Sequence, residues 1–364
     1  MRLLFFGTYD ARRHPRVEVL REGFRAAGDT VEECNVPLGL DTDLRVRMLK
    51  QPWLLVLLVL RLARAWSLLW WRSRRVAAPD AVVVGYLGHL DVRLARRLWP
   101  RVPIALDYLV SLSDTAADRA AGGGLVQRAL VAVDRGATRA ADVVVVDTEE
   151  QRSTVLAPPR DGVVVCAVGA PDWWYVPSPR PLADSPLRVA FFGLYTPLQG
   201  PPVIGRAIAL LRDEPGVTFT MVGSGQDLAA TRSAAAGSPY VTWMDWLDPA
   251  ALADAVADHH VCLGVFGTGP KALRVVPNKV YQGAAAGCVV VTSDTAPQRA
   301  MLGDAACFVP PGDAGALAAV LRGLAHDAGR VAMMRKAAYD LATTRFRPEN
   351  VVAPLRERLI GGRA

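Results

Sequence analysis

The sequence predicts an α/β protein made of two parallel-sheet units, and three observations carry the prediction. The chain has 364 residues, 51% of them apolar, which at ~100–200 residues per domain is enough for two or three cores. Short valine-rich runs alternate with helical patterns in both halves, and runs of that kind suit strands buried on both faces. Between the halves lies PDWWYVPSPRPLADSP (Pro171–Pro186), where proline continues neither a helix nor an inner strand.

In chain order, LLFFG (Leu3–Gly7) reads as a buried strand ending in glycine. Residues 16–27 have helical spacing, with Gly28 as the stop. AVVVGY (Ala81–Tyr86), VPIALDY (Val102–Tyr108), DVVVVD (Asp142–Asp147) and GVVVCAVGA (Gly162–Ala170) follow as strands, with helical intervals such as 125–139 as crossovers. After the proline-rich stretch the alternation restarts. Strands are expected at RVAFFG (Arg188–Gly193), VTFTMVG (Val217–Gly223), VCLGVFG (Val261–Gly267) and CVVVTSD (Cys288–Asp294), with a helix near 203–212 and further helices to the end. The expected division is 1–170, a linker over 171–186, and 187–364, with the option that the last helix packs back on the first unit. Open α/β sheets bind ligands beyond the carboxyl ends of their strands, so the site is expected there, between the two units.

Composition narrows the function. An apolar half with 21% charged residues excludes a disordered or collagenous chain. The five cysteines lie singly, with no CxxC pair, so they read as small buried thiols of a reducing compartment. The net charge of +7 is local: Arg45, Arg47, Lys50, Arg61, Arg64, Arg72, Arg74 and Arg75 fall in one stretch without an acid, and the remainder is close to neutral. Nucleic acid is therefore not an expected partner. The opening MRLLFFGTYD turns polar too early for a secretory signal, and the chain reads as cytoplasmic.

Within that basic stretch, Gln51–Arg75 is strongly apolar. At 100° per residue Lys50, Arg61, Arg64, Arg72 and Arg75 share a stripe of roughly 80°. Two mid-segment arginines would each cost ~2.5–3.5 kcal/mol in a spanning helix, whereas in the headgroup plane each cation gains ~1 kcal/mol from anionic lipid. The expected role is peripheral membrane contact, with Trp53, Trp66, Trp70 and Trp71 at the interface. An amphipathic helix packed on the protein's own core is the competing expectation.

The densest chemical cluster is GVFGTGPKALRVVPNKVYQGAAAGCVVVTSD (Gly264–Asp294). It gathers Lys271, Arg274 and Lys279 among glycines, just before a helix expected to start at Asn278 or Lys279. Free N–H groups at a helix start, reinforced by cations, make an anion site. A second loop, FFGLYTPLQGPPVIGRAIALL (Phe191–Leu211), brings Gly193, Thr196, Gln199 and Gly200 to a strand–helix junction, again a phosphate position.

Together, FGLYTPLQG, MVGSGQ and LGVFGTGPKALRVVPNKVYQGAAAG resemble the donor half of a family 4 glycosyltransferase (glycosyl transferases group 1), strongest over 193–294. FFGTY, ALDYLVSLSDT and VDRGATRAADVVVVDTEEQ suit the acceptor-side half. The resemblance implies the GT-B fold, two Rossmann-like domains facing a cleft, and retaining transfer of a hexosyl-type sugar from a nucleoside diphosphate sugar to a lipid-linked, glycan or small-molecule acceptor. It implies no metal-binding motif and no cofactor beyond the donor. The donor-binding residues it points to are Gly7, Thr196, Gln199, Gly200, Lys271, Arg274, Asn278, Lys279 and Gln282.

This chain departs from the family pattern at defined places. Leu194 and Gln199 stand where many members carry an arginine and a lysine for the diphosphate, and Arg274 and Gln282 stand at the spacing of the usual glutamate pair. A glutamine still hydrogen-bonds a ribose. In the family the departing phosphate is thought to take the acceptor's proton, so no protein base is required. Asp107, ending the IALDY strand, is the candidate catalytic residue for orienting donor sugar or acceptor, although a capping or loop aspartate fits the same position; His14 and His89 are further candidates. A dinucleotide oxidoreductase would need GxGxxG after the first strand, which FFGTYDARRHP lacks. A GT-B epimerase or phosphorylase shares the fold and the phosphate position. A catalytically silent membrane-associated module is the reading that Gln282 would favour.

Overall fold

The structure of the protein, a computed structural model, describes residues 1–10, 15–39, 54–118, 124–157, 159 and 162–361. His14, Lys50, Gln51 and Trp53 lie outside them. The chain divides into two compact units, Met1–Ala167 with Val351–Ala364, and Val168–Asn350.

The first unit holds six strands: β1 (Arg2–Gly7), β2 (Thr30–Asn35), β3 (Ala81–Val84), β4 (Ile104–Asp107), β5 (Val143–Val146) and β6 (Val163–Val165). They form one sheet in the order β2-β1-β3-β4-β5-β6, every pair parallel. The valine runs explain this: β3, β4 and β5 are buried at every position, as strands covered on both faces must be. One face packs Phe5, Val17, Leu20 and Phe24 with Val351, Val352, Leu355 and Leu359 of the last helix (Pro348–Gly361). That helix belongs to the first unit from Val351 onward.

The other face packs Phe6, Val82, Leu106 and Leu69. Leu69 comes from the Leu54–Ser73 helix, the described part of the basic apolar segment. The helix buries Ala65 and Leu69 but exposes Val56, Val59, Leu60, Trp70 and Trp71. It therefore has two apolar sides, one covered by the unit and one open. Trp66, expected at an interface, instead donates its indole N–H to Asp91 at 2.8 Å. Among the described residues no helix is long and apolar enough to cross a membrane.

The second unit repeats the plan with β7 (Leu187–Phe192), β8 (Val217–Val222), β9 (Val241–Met244), β10 (Val261–Leu263), β11 (Val289–Ser293) and β12 (Ala306–Val309). Its order is β12-β11-β10-β7-β8-β9, all parallel. The chain turns one way after β7 and the other way before β10, so these two neighbours bound the switch point where doubly wound sheets hold ligands. The proline-rich stretch falls within this unit. Trp174 is buried and stacked on Phe192, Arg335 donates to the Arg180 carbonyl at 3.0 Å, and Gly287 leaves room for Pro179. All five cysteines are buried and free.

Candidate functional site

At the switch point of the second sheet, backbone meets backbone at distances only glycine permits. Gly193 leaves β7 at φ +128°, and a Cβ at Gly223 would stand 2.2 Å from the Gly193 carbonyl oxygen. Gly200 has φ +64°, and its Cβ would fall 2.5 Å from the amide nitrogen of Gly267. Gly267 in turn closes on the Leu198 and Pro197 carbonyls, while Phe266 donates its N–H to Gln199 O at 3.0 Å. The Thr196 carbonyl accepts from the Gln199 and Gly200 amides and so turns the loop. The loops after β7 and β10 are thus fixed against each other, and side chains at these positions would force them apart.

Into this corner comes Lys279, the second residue of the Asn278–Ala285 helix that follows β10. It is 4% exposed. Its ammonium lies 3.7 Å from the centroid of the Phe191 ring, and a Cβ on Gly193 would stand 3.4 Å from Nζ. Among the described residues Nζ has no hydrogen-bond partner. Burial pulls its pKa down to about 7, against an opposing pull from Cys262. A buried ammonium without an acceptor is costly. The buried Gln199 Oε1 also lacks a partner among those residues. Asn278 opens the helix, and Gln282 is buried one turn after Lys279, on the same face.

The other two cations of the cluster are placed differently. Lys271 precedes and Arg274 ends the short 3-10 turn Ala272–Arg274, which rests against the Ala296–Leu302 helix. The Arg274 guanidinium donates from Nε to the Pro270 carbonyl at 3.1 Å. Of the three cations only Lys279 is both buried and poised over Gly193. The aromatic floor beneath it, Phe191 and Phe192, read in the sequence as nothing more than strand core.

Asp107 and Gly7 lie in the first unit. Asp107 is 1% exposed and takes a hydrogen bond from Arg16 Nε at 2.8 Å. Arg16, equally buried, also donates to the Cys166 and Ala167 carbonyls. Asp147 shares this cluster, its pKa raised to about 6 by burial despite the Arg16 charge. Asp107, expected to orient donor sugar or acceptor or to cap a helix or loop, is half of a buried ion pair with Arg16. Gly7, at φ +141°, leaves room for Asp91, whose Oδ2 accepts from both the N–H and the hydroxyl of Thr8 at 2.8 Å. His89 is buried with Nε2 3.3 Å from Asp134, and burial lowers its pKa. His259 and His260 follow the Pro249–Ala257 helix, buried and bonded to Thr220 and the Arg188 amide.

Comparison with known proteins agrees with this layout. Residues 186–327 match the family model described as Glycosyl transferases group 1. No curated protein matches the sequence. HepE of Anabaena, solved with UDP, superposes with a TM-score of 0.68 at 14% identity, covering 99% of this chain and 100% of that one. Sucrose-phosphate synthase of Thermosynechococcus elongatus gives 0.71 at 15% identity over 100% and 99%. The N-terminal domain of Candida albicans trehalose-6-phosphate phosphatase gives 0.65 at 10% identity over 98% and 96%. The chain accordingly has the GT-B fold of two Rossmann-like units, and the stretch similar to the Glycosyl transferases group 1 model lies within its second unit.

Proposed function

We propose that the chain is a retaining glycosyltransferase of the family 4 type that uses a UDP-linked hexose. The observation that carries the reading is the buried, unpartnered Lys279 ammonium over Gly193 at the switch point of the second sheet. A diphosphate there would supply the missing acceptor. Support for UDP comes from HepE, whose structures hold UDP and UDP-glucose. Lys279 and the start of its helix neutralise the charge that develops on the leaving diphosphate, a contribution that grows where water is excluded. Thr196, Gln199 and Gly200 shape the loop around it, Gln282 offers an amide to the ribose, and Lys271 and Arg274 add positive potential. Asp107, held by Arg16, positions the turn after β4 on the acceptor side.

Peripheral contact with a membrane at its cytoplasmic face belongs to the same reading, with a lipid-linked acceptor. It is supported by the open side of the Leu54–Ser73 helix and by Arg61, Arg64, Arg72, Arg74 and Arg75 around it. Incubation with UDP-hexoses tests the activity. Slow release of UDP and free sugar, with the first-formed sugar in the donor's anomeric configuration by NMR, is the expected result. Absence of both hydrolysis and UDP binding would overturn it.

A further inference from the structure

The first unit has a cavity of about 510 Å³ that the donor site does not use. It lies along the carboxyl-terminal half of edge strand β2, where its lining includes Asp10, Glu32, Glu33, Asn35, Arg72 and Arg75. Its chemistry is mixed, with carboxylates on the strand side and guanidinium groups on the helix side. Glu33 is engaged by the Tyr9 hydroxyl at 2.7 Å and by Arg21. Glu32 has a more distant neighbour, Arg2 at 3.9 Å. Arg72 donates from Nη1 to the Asn35 carbonyl at 2.8 Å, which leaves several of its five N–H groups to donate elsewhere. Arg75 lies over the Trp71 ring, 3.7 Å from its centroid.

Arginines that keep donors in reserve suit a phosphate, which they grip through two oxygens at once. Carboxylates facing them across a cavity repel a bare anion but accept hydrogen bonds from hydroxyl groups. A ligand satisfying both walls carries a phosphate at one end and vicinal hydroxyls at the other. The helix that contributes Arg72 also exposes Trp70 and Trp71 beside it, and Val56, Val59 and Leu60 further along, the last two 62% and 63% exposed. The cavity thus adjoins an apolar surface fringed by arginines, on a helix that carries no acid. A wholly soluble ligand leaves that surface unexplained.

We propose that this cavity binds the hydroxylated phosphate headgroup of an anionic lipid while the Leu54–Ser73 helix lies on the bilayer. The proposal rests on the membrane-contact part of the proposed function and names the lipid chemistry it selects.

The test uses the full chain, vesicle flotation and NMR titration. Vesicles of phosphatidylcholine with phosphatidylglycerol should carry the protein up the gradient, and pure phosphatidylcholine should not. Val59→Ser with Leu60→Ser should abolish flotation but leave binding of free glycerol phosphate intact. Arg72→Gln should weaken glycerol phosphate about tenfold, the loss expected for one charge-assisted hydrogen bond. Arg75→Gln, which leaves the Arg72 bond to Asn35 in place, guards against local unfolding and should also weaken it. Flotation without glycerol phosphate binding overturns the headgroup site and spares membrane contact. Glycerol phosphate binding without flotation overturns the lipid and leaves a soluble phosphorylated polyol. Failure of both, with UDP still bound, overturns this proposal together with the membrane contact it rests on and leaves the donor reading standing; loss of UDP binding in the wild type strikes the donor reading instead.

Discussion

At the scale of single residues, Lys279 is the group on which the donor reading turns. Lys279→Ala should weaken UDP binding by ~1.5–3 kcal/mol, the range for a hydrogen bond to a charged group, as read by calorimetry. Arg274→Ala should cost less, because its guanidinium is already committed in part to the Pro270 carbonyl; equal losses would undo that ranking. The depressed pKa of about 7 adds a pH signature. With nothing bound, Lys279 loses its charge as pH rises through about 7, so UDP affinity should fall as pH climbs past that point, and binding on the alkaline side should take up protons from buffer. The linkage for stability has the opposite sense. The unfolded lysine keeps its proton up to 10.5, so above about pH 7 the unfolded chain binds more protons than the folded one. This group's destabilising effect on the free protein therefore shrinks as pH rises through that window. Affinity independent of pH would mean that Lys279 is not the charge involved. The cluster of cations before a helix was legible in the sequence because its members are neighbours in the chain. The partner of Asp107 was not, because Arg16 is 91 residues away and only the sheet brings them together.

Among the elements, legibility followed position in the sheet. The strands read from the sequence are inner ones, most with unbroken apolar runs and β8 with alternating threonines, together with β6. The three not read, β2, β9 and β12, are all edges. TVEECN in β2 is half-solvated along most of its length, so it lacks the run that marks an interior strand. The loops between elements are equally constrained. Gly200→Ala would place a Cβ 2.5 Å from backbone at Gly267 while holding a residue at φ +64°. Such positions cost ~1–3 kcal/mol in backbone conformation alone, so the variant should melt at lower temperature and bind UDP more weakly. A melting curve that overlays the wild type would show that the two loops can separate freely. The Leu54–Ser73 helix illustrates the limit of periodicity. Its pattern announced an amphipathic helix, but which apolar side the sheet covers depends on where Leu69 meets Phe6 and Val82.

The whole molecule is two similar units with different claims on the chain. The second is continuous, Val168–Asn350; the first is closed by residues from Val351 onward. Leu355 is fully buried against β1 and β3 residues, and Arg356 pairs with Asp29, which also holds the amino-terminal ammonium at 2.7 Å. Leu355→Ala should therefore cost ~2–5 kcal/mol in the first unit alone, shifting one of two denaturation transitions in urea. A shift of the second unit's transition instead would contradict the division. The same arrangement sets an order of events on the ribosome. Residues 1–167 emerge before the second unit, yet the strip of sheet that receives Val351, Val352, Leu355 and Leu359 stays bare until all of Val168–Asn350 has been translated as well. The half made first is the half finished last, and during that interval its uncovered apolar strip is what a chaperone would meet.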